Sequence, residues 1–142
     1  MATKDINSII LQQNIFKIDE LSINTTHFGN IAVDTAGFES VEVLFFNHFL
    51  SVVDGDYELI LLHGDTNVVG NHSTVPSNEF LGSPLKIVEA DGNDNLLRGG
   101  YVGQKRFLSA HIVSTIIAGG GELLGAFIIL NTPRRAPTSA LP

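Results

Sequence analysis

The chain has 142 residues, is 44% hydrophobic, contains no cysteine and carries a formal net charge of −7. This length suits one domain, which at such a size buries roughly 70% of the surface its unfolded chain would expose. The composition excludes wholesale disorder, disulfides and thiolate metal sites. Eight basic residues against fifteen acidic ones argue against a nucleic-acid partner, which needs clustered cations to neutralise phosphate.

No secretory leader is expected, because Lys4 is followed at once by Asp5 and no apolar run comes after. No stretch approaches the roughly 18 apolar residues of a membrane-spanning helix, so no membrane partner is expected. Residues 1–28 mix isoleucines with Asn, Gln, Ser and Thr. Ile6, Ile9, Ile10 and Gln13 fit one face of a helix, whereas Ile15, Lys17, Asp19, Leu21 and Ile23 fit one side of a strand. Two readings stay open: an N-terminal arm that orders on a partner or a neighbouring subunit, or a first edge strand.

From residue 29 to 137 the pattern is that of a single β domain, followed by a short tail, 138–142. Ile31-Ala32-Val33 reads as a short strand ended by the turn Asp34-Thr35-Ala36-Gly37. In Ser40 to Phe49, Val41, Val43 and Phe45 fall on one side and Glu42, Leu44 and Phe46 on the other. Asp54-Gly55-Asp56 is a turn signal, so 40–63 reads as a hairpin. Residues 64–82 form a polar loop, Leu85 to Ala90 a further strand, and Asp91 to Asn95 another turn. Arg98 to Pro137 reads as a closing hairpin with a glycine-rich lead-in, a tip at Gly119-Gly120-Gly121, and a return strand from Leu123 to Leu130. About six to eight short strands and no helix predict an all-β fold, an antiparallel β-sandwich of jelly-roll type.

Half-wet strands alternate apolar and polar residues. Phe127-Ile128-Ile129-Leu130, Val43-Leu44-Phe45-Phe46 and Leu59-Ile60-Leu61-Leu62 do not. So much apolar strand surface exceeds what a two-layer core needs and favours oligomerisation or docking over cover from within the chain.

Catalytic equipment is hard to find. His63-Gly64-Asp65 with His72 is the nearest thing to a metal cluster, but no third ligand is evident, and solvated loop histidines are the plainer reading. Asp91-Gly92-Asn93-Asp94-Asn95 fails as a calcium loop, since Leu96 and Val102 stand where Gly and Glu are required. Ser109 and His111 share a strand face without an acid on that strand. No catalytic, cofactor-binding or metal residue is predicted, and no cofactor.

Four segments nevertheless carry a specific resemblance: VDTAGFESVEVLFF (33–46), YELILLHGD (57–65), LRGGYVGQKRFLSAHIV (97–113) and GAFIILNTPRRAP (125–137). They resemble a family of small virion proteins of tailed bacteriophages and prophages, with Gly100-Tyr101-Val102-Gly103-Gln104-Lys105-Arg106-Phe107 as the most specific piece. The resemblance implies a non-enzymatic decoration or cement protein, made in the bacterial cytoplasm and bound to the capsid exterior. Its implied partners are the major capsid protein and its own copies, as a homotrimer or homodimer. The candidate contacts are Ile9, Ile10 and Phe16, Phe127 and Ile129 of the strand that is apolar on both sides, and the basic pairs Lys105–Arg106 and Arg134–Arg135. If the closing strands pair, both basic pairs lie opposite the glycine tip. The rival readings are a tail, neck or head-fibre module that binds a host glycan, and a small β-fold hydrolase.

Overall fold

The computed structural model describes residues 10–20, 26–49, 52–53, 56–88, 91–115, 118–119 and 123–133. In chain order the strands are β1 (Ile10–Glu20), β2 (Thr26–Phe28), β3 (Val33–Asp34), β4 (Phe38–Phe49), β5 (Val52–Val53), β6 (Asp56–Gly64) and β7 (Ser73–Thr74). They continue as β8 (Phe80–Leu81), β9 (Leu85–Val88), β10 (Leu96–Tyr101), β11 (Phe107–Thr115), β12 (Ala118–Gly119) and β13 (Leu123–Pro133). Two single 3₁₀ turns, Val69–Asn71 and Ser77–Glu79, interrupt the 64–82 segment.

The first sheet runs β1-β13-β4-β10-β8. The second runs β2-β11-β6, with β3 beside β2 on β11, and β7 and β9 sharing the far edge of β6. All pairs are antiparallel. Reduced to its main strands the order is β1-β13-β4-β10 over β2-β11-β6-β9. Every step along the chain except β6 to β9 crosses to the opposite sheet, which is the jelly-roll arrangement of two interlocked Greek keys.

The core lies between the sheets. Val41, Val43 and Phe45 of β4 and Leu124, Ala126, Ile128 and Leu130 of β13 face Tyr57, Leu59 and Leu61 of β6, Ile87 of β9, and Leu108, Ala110 and Ile112 of β11. The side of β4 that its alternation selects is thus the inner one. Phe45 and Tyr57 are the largest fully buried side chains, and burying a group of this size is worth roughly 1.5–3 kcal/mol.

Both expected hairpins are corrected. β4 pairs with β13 and β10, while β6 pairs with β11, β7 and β9, so 40–63 is not a hairpin. Likewise β11 belongs to the second sheet and β13 to the first. The glycine-rich lead-in, Arg98 to Gly100, is part of β10 in the first sheet. The chain passes between sheets at both places, and β5 and β12, which lie there, pair with each other. Turn residues between apolar runs mark a reversal of direction. They do not say whether the returning strand lies beside its predecessor or across the core from it.

Of the two readings of the N-terminal segment, residues 10–20 follow the edge strand: β1 lies along β13, with Ile10 opposite Asn131 and Phe16 opposite Ala126. Residues 1–9 lie outside the described residues.

Candidate functional site

Three of the motif-bearing segments meet at one end of the sandwich. In the first, the Asp34 carboxylate accepts the Ala36 N–H at 2.9 Å, and Gly37 takes a φ of +88°, where side chains other than glycine's are strained. The turn docks on the stretch before β11: both the Thr35 N–H and the Thr35 hydroxyl donate to the Arg106 carbonyl at 2.8 Å. Arg106 closes the contact with a two-pronged bond to Asp34, Nε to Oδ1 at 2.9 Å and Nη2 to Oδ2 at 2.6 Å. That fork holds the Asp34 carboxyl below the usual carboxylate range and pushes the Arg106 guanidinium further up.

The second segment, Tyr101 to Arg106, is tied from inside. The buried Tyr101 hydroxyl accepts the Lys105 N–H at 3.0 Å and lies 3.0 Å from His63 Nδ1. His63 Nδ1 is also 3.3 Å from Glu79 Oε2, a buried oxygen with no hydrogen-bond partner. Burial pushes the Tyr101 phenol upward, so it stays neutral well beyond physiological pH. Gly103 is required by this packing: a Cβ there would stand 2.2 Å from Glu79 Oε2 and 2.4 Å from Tyr101 Oη. The third segment, His63 to Asp65, supplies the buried imidazole and, through Asp65, the partner of the Lys105 ammonium.

The corner is therefore a clasp in which Asp34, Asp65, Tyr101, Lys105 and Arg106 are hydrogen-bonded to one another across three segments, while Glu79 Oε2 stands beside His63 without a hydrogen bond. Lys105 and Arg106 are engaged within the chain by Asp65 and Asp34 while staying open to solvent. Sequence reading placed Asp34, Asp65 and Gly103 in turns and a motif without this role, and passed over Glu79. The Asp-Thr-x-Gly and His-Gly-Asp turns were visible, but nothing local shows that they meet.

The histidines separate. His63 points inward and is buried, which corrects the solvated reading for that residue. His72 lies against the outside of the second sheet. Its Nε2–H donates to the Thr66 carbonyl at 2.7 Å, so in the neutral ring Nδ1 accepts from the Ser109 hydroxyl, also at 2.7 Å. His63 and His72 thus sit on opposite faces and cannot share an ion. Among the described residues no group of three or more His, Cys, Asp or Glu is placed to hold a metal ion. Ser109 and His111 do share the outer face, opposite Leu62 and Ile60. The Phe28 ring stands edge-on to His111 at 5.7 Å, and burial lowers that imidazole's affinity for a proton. The 91–95 turn is held by the buried Asn47, whose amide donates to the Gly92 carbonyl and accepts the Asn95 N–H, both at 2.9 Å.

Leu124, Ala126, Ile128 and Leu130 of β13 fill the core, so Phe127 and Ile129 face outward on the first sheet. The Phe127 ring packs on Phe46 at 5.7 Å between centroids. Ile10 and Phe16 lie on the edge strand β1. Ile9, Arg134 and Arg135 lie outside the described residues. No helix among the described residues is long and apolar enough to cross a membrane.

The fold and its corner define an antiparallel jelly-roll sandwich with a polar clasp at one end. No protein-family model matches the sequence, and no curated relative does. Solved structures do show the same architecture. The chain is similar to the infectious bursal disease virus VP2 of a subviral particle, at 12% identity and a TM-score of 0.51, over 94% of this chain and 35% of that one. It is also similar to YomS, a protein derived from the SPBc2 prophage, at 8% identity and a TM-score of 0.44, over 84% of this chain and 92% of that one. A Triatoma virus structure matches at 10% identity and a TM-score of 0.45, over 99% of this chain and 72% of that one. Of these, the likeness to VP2 is one of fold.

Proposed function

We propose that this chain is a structural protein of a phage virion, a decoration or cement protein that binds the outside of the head, bridges capsomers and associates with its own copies. It works by binding, without chemistry of its own. The observation that carries this reading is the outer face of the first sheet. The core between the sheets is already filled, yet Phe46, Phe127, Ile129, Leu81 and Leu96 remain on the outside. Apolar surface in excess of a finished core is what a covered face looks like before its cover arrives. The fold likeness to a virus particle protein and the phage-like motifs support the same reading.

A glycan-binding tail or fibre module is less well supported, because both tyrosines are buried and none is offered for stacking on a sugar. The test is to add purified protein to heads that lack it and measure co-sedimentation, then survival of the heads on heating and at low ionic strength. Saturable binding at a stoichiometry set by the lattice axes is expected. Absence of binding to such heads would refute the proposal.

A further inference from the structure

The strand register fixes which side chains share the outer face of the first sheet. Gly100 stands opposite both Leu81 and Glu42, and Glu42 opposite Ile129. In the next row Arg98 and Phe127 flank Leu44, and in the row after that Leu96 and Gly125 flank Phe46. Leu81 and Leu96 are 58% and 52% exposed, and neighbouring Val102 is 51% exposed. These account for three of the five exposed large hydrophobic residues among the described residues, so their exposure is concentrated on and beside one face. A hollow of about 520 Å³ opens over Gly100, where the missing side chain leaves the backbone approachable.

Charge indicates what covers this face. Arg98 Nη1 and Glu42 Oε1 lie side by side in its middle, 3.6 Å apart, with most of the arginine side chain in water. Glu39 stands at the end of the hollow. A chain of net charge −7 repels its own copies in general. A face that carries both signs among apolar residues is the exception, because a two-fold axis passing between the two charges brings each sign onto its opposite. The size agrees with a modest contact. Four long strands at about 4.8 Å and six or so residues at about 3.3 Å give roughly 400 Å² per copy, below the approximately 800 Å² of a standard interface.

We propose that the outer face of the first sheet is a self-association surface. Two copies meet face to face about a two-fold axis, with Arg98 of each copy against Glu42 of the other and Leu81 and Leu96 in the apolar contact. The inference deepens the reading of the chain as a self-associating virion protein and rests on it. Given the small area, the dimer of free copies is weak and gains strength when many copies are arrayed on one shell.

The test is sedimentation equilibrium of the full chain over a wide concentration range. A concentration-dependent dimer is expected. Leu81→Glu with Leu96→Glu, both at exposed positions, is expected to weaken it about a hundredfold, with an unchanged circular dichroism spectrum. The charge test separates contacts between copies from those within one. Arg98→Glu alone and Glu42→Arg alone each give a like-charged face that fails to dimerise, yet the two proteins mixed are complementary across the axis and are expected to form a mixed dimer. A monomer at every concentration, a trimer, association untouched by the leucine substitutions, or failure of the mixture to pair overturns the inference. Head binding by a monomeric chain would overturn this inference alone. Dimerisation without head binding would overturn the cement reading alone.

Discussion

Replacing Tyr101 by Phe removes a single oxygen and tests the clasp directly. Two groups depend on that oxygen: the Lys105 N–H, which donates to it, and His63 Nδ1, 3.0 Å away in a buried ring. Leaving a buried donor or acceptor unsatisfied costs about 1–3 kcal/mol, offset in part because the hydroxyl no longer needs desolvating. A net loss of about 2 kcal/mol is expected. For a domain of this length that lowers Tm by about 6–8 °C, which urea titration and calorimetry can both read. The substitution also changes the alkaline limb. Burial raises the folded-state phenol pKa above its unfolded value, so the wild type keeps this contribution below about pH 10 and loses it as pH rises toward the folded value. The stability gap between wild type and Tyr101→Phe is therefore expected to narrow above about pH 10. A loss below about 0.5 kcal/mol at neutral pH would mean that the hydroxyl does not hold the corner together.

Further outcomes follow from the same geometry. Gly103→Ala overpacks the corner and is expected to cost about 1–3 kcal/mol in urea unfolding, with part of the loss recovered when Glu79→Ala is added, since the Glu79 carboxylate is the nearest obstruction. Arg106→Gln removes the fork on Asp34, and a carboxyl-detected NMR titration is expected to show that residue's pKa rising toward the ordinary value; no movement would refute the assigned cause. His111 titrates below its ordinary value because it is desolvated, so its contribution to stability is present above about pH 6.5 and is lost as pH falls through the folded value. Phe28→Ala opens that ring to water, and an upward shift of the His111 imidazole pKa by proton NMR is the expected result.

Much of the fold is written locally. The inner face of β4, the turn at Asp34 to Gly37 and the starts of β9 and β13 follow from alternation and turn residues. Sheet membership is not written locally. Val43-Leu44-Phe45-Phe46 is apolar on both sides because one side fills the core and the other forms the outer face, so no period separates them. The clasp was hidden for a related reason. Lys105 and Arg106 stand out as a basic pair, but their partners Asp65 and Asp34 come from other turns, and only the closed sandwich brings them together. His63 looks like a loop residue because Gly64 and Asp65 follow it, yet β6 runs on through Gly64 and carries the imidazole inside.

The strand order also bears on how the chain acquires its shape. Ile10 sits opposite Asn131, and β4 takes its longest partner from β13. The first of the described strands thus waits for the last before its sheet can close. Contacts of such separation carry a large loop-closure cost and make for slow folding, on the order of milliseconds to seconds. Until β13 arrives, both β1 and β4 have an open edge able to pair with another chain. A copy whose β13 has not yet been made is thus exposed to pairing with another chain through these edges.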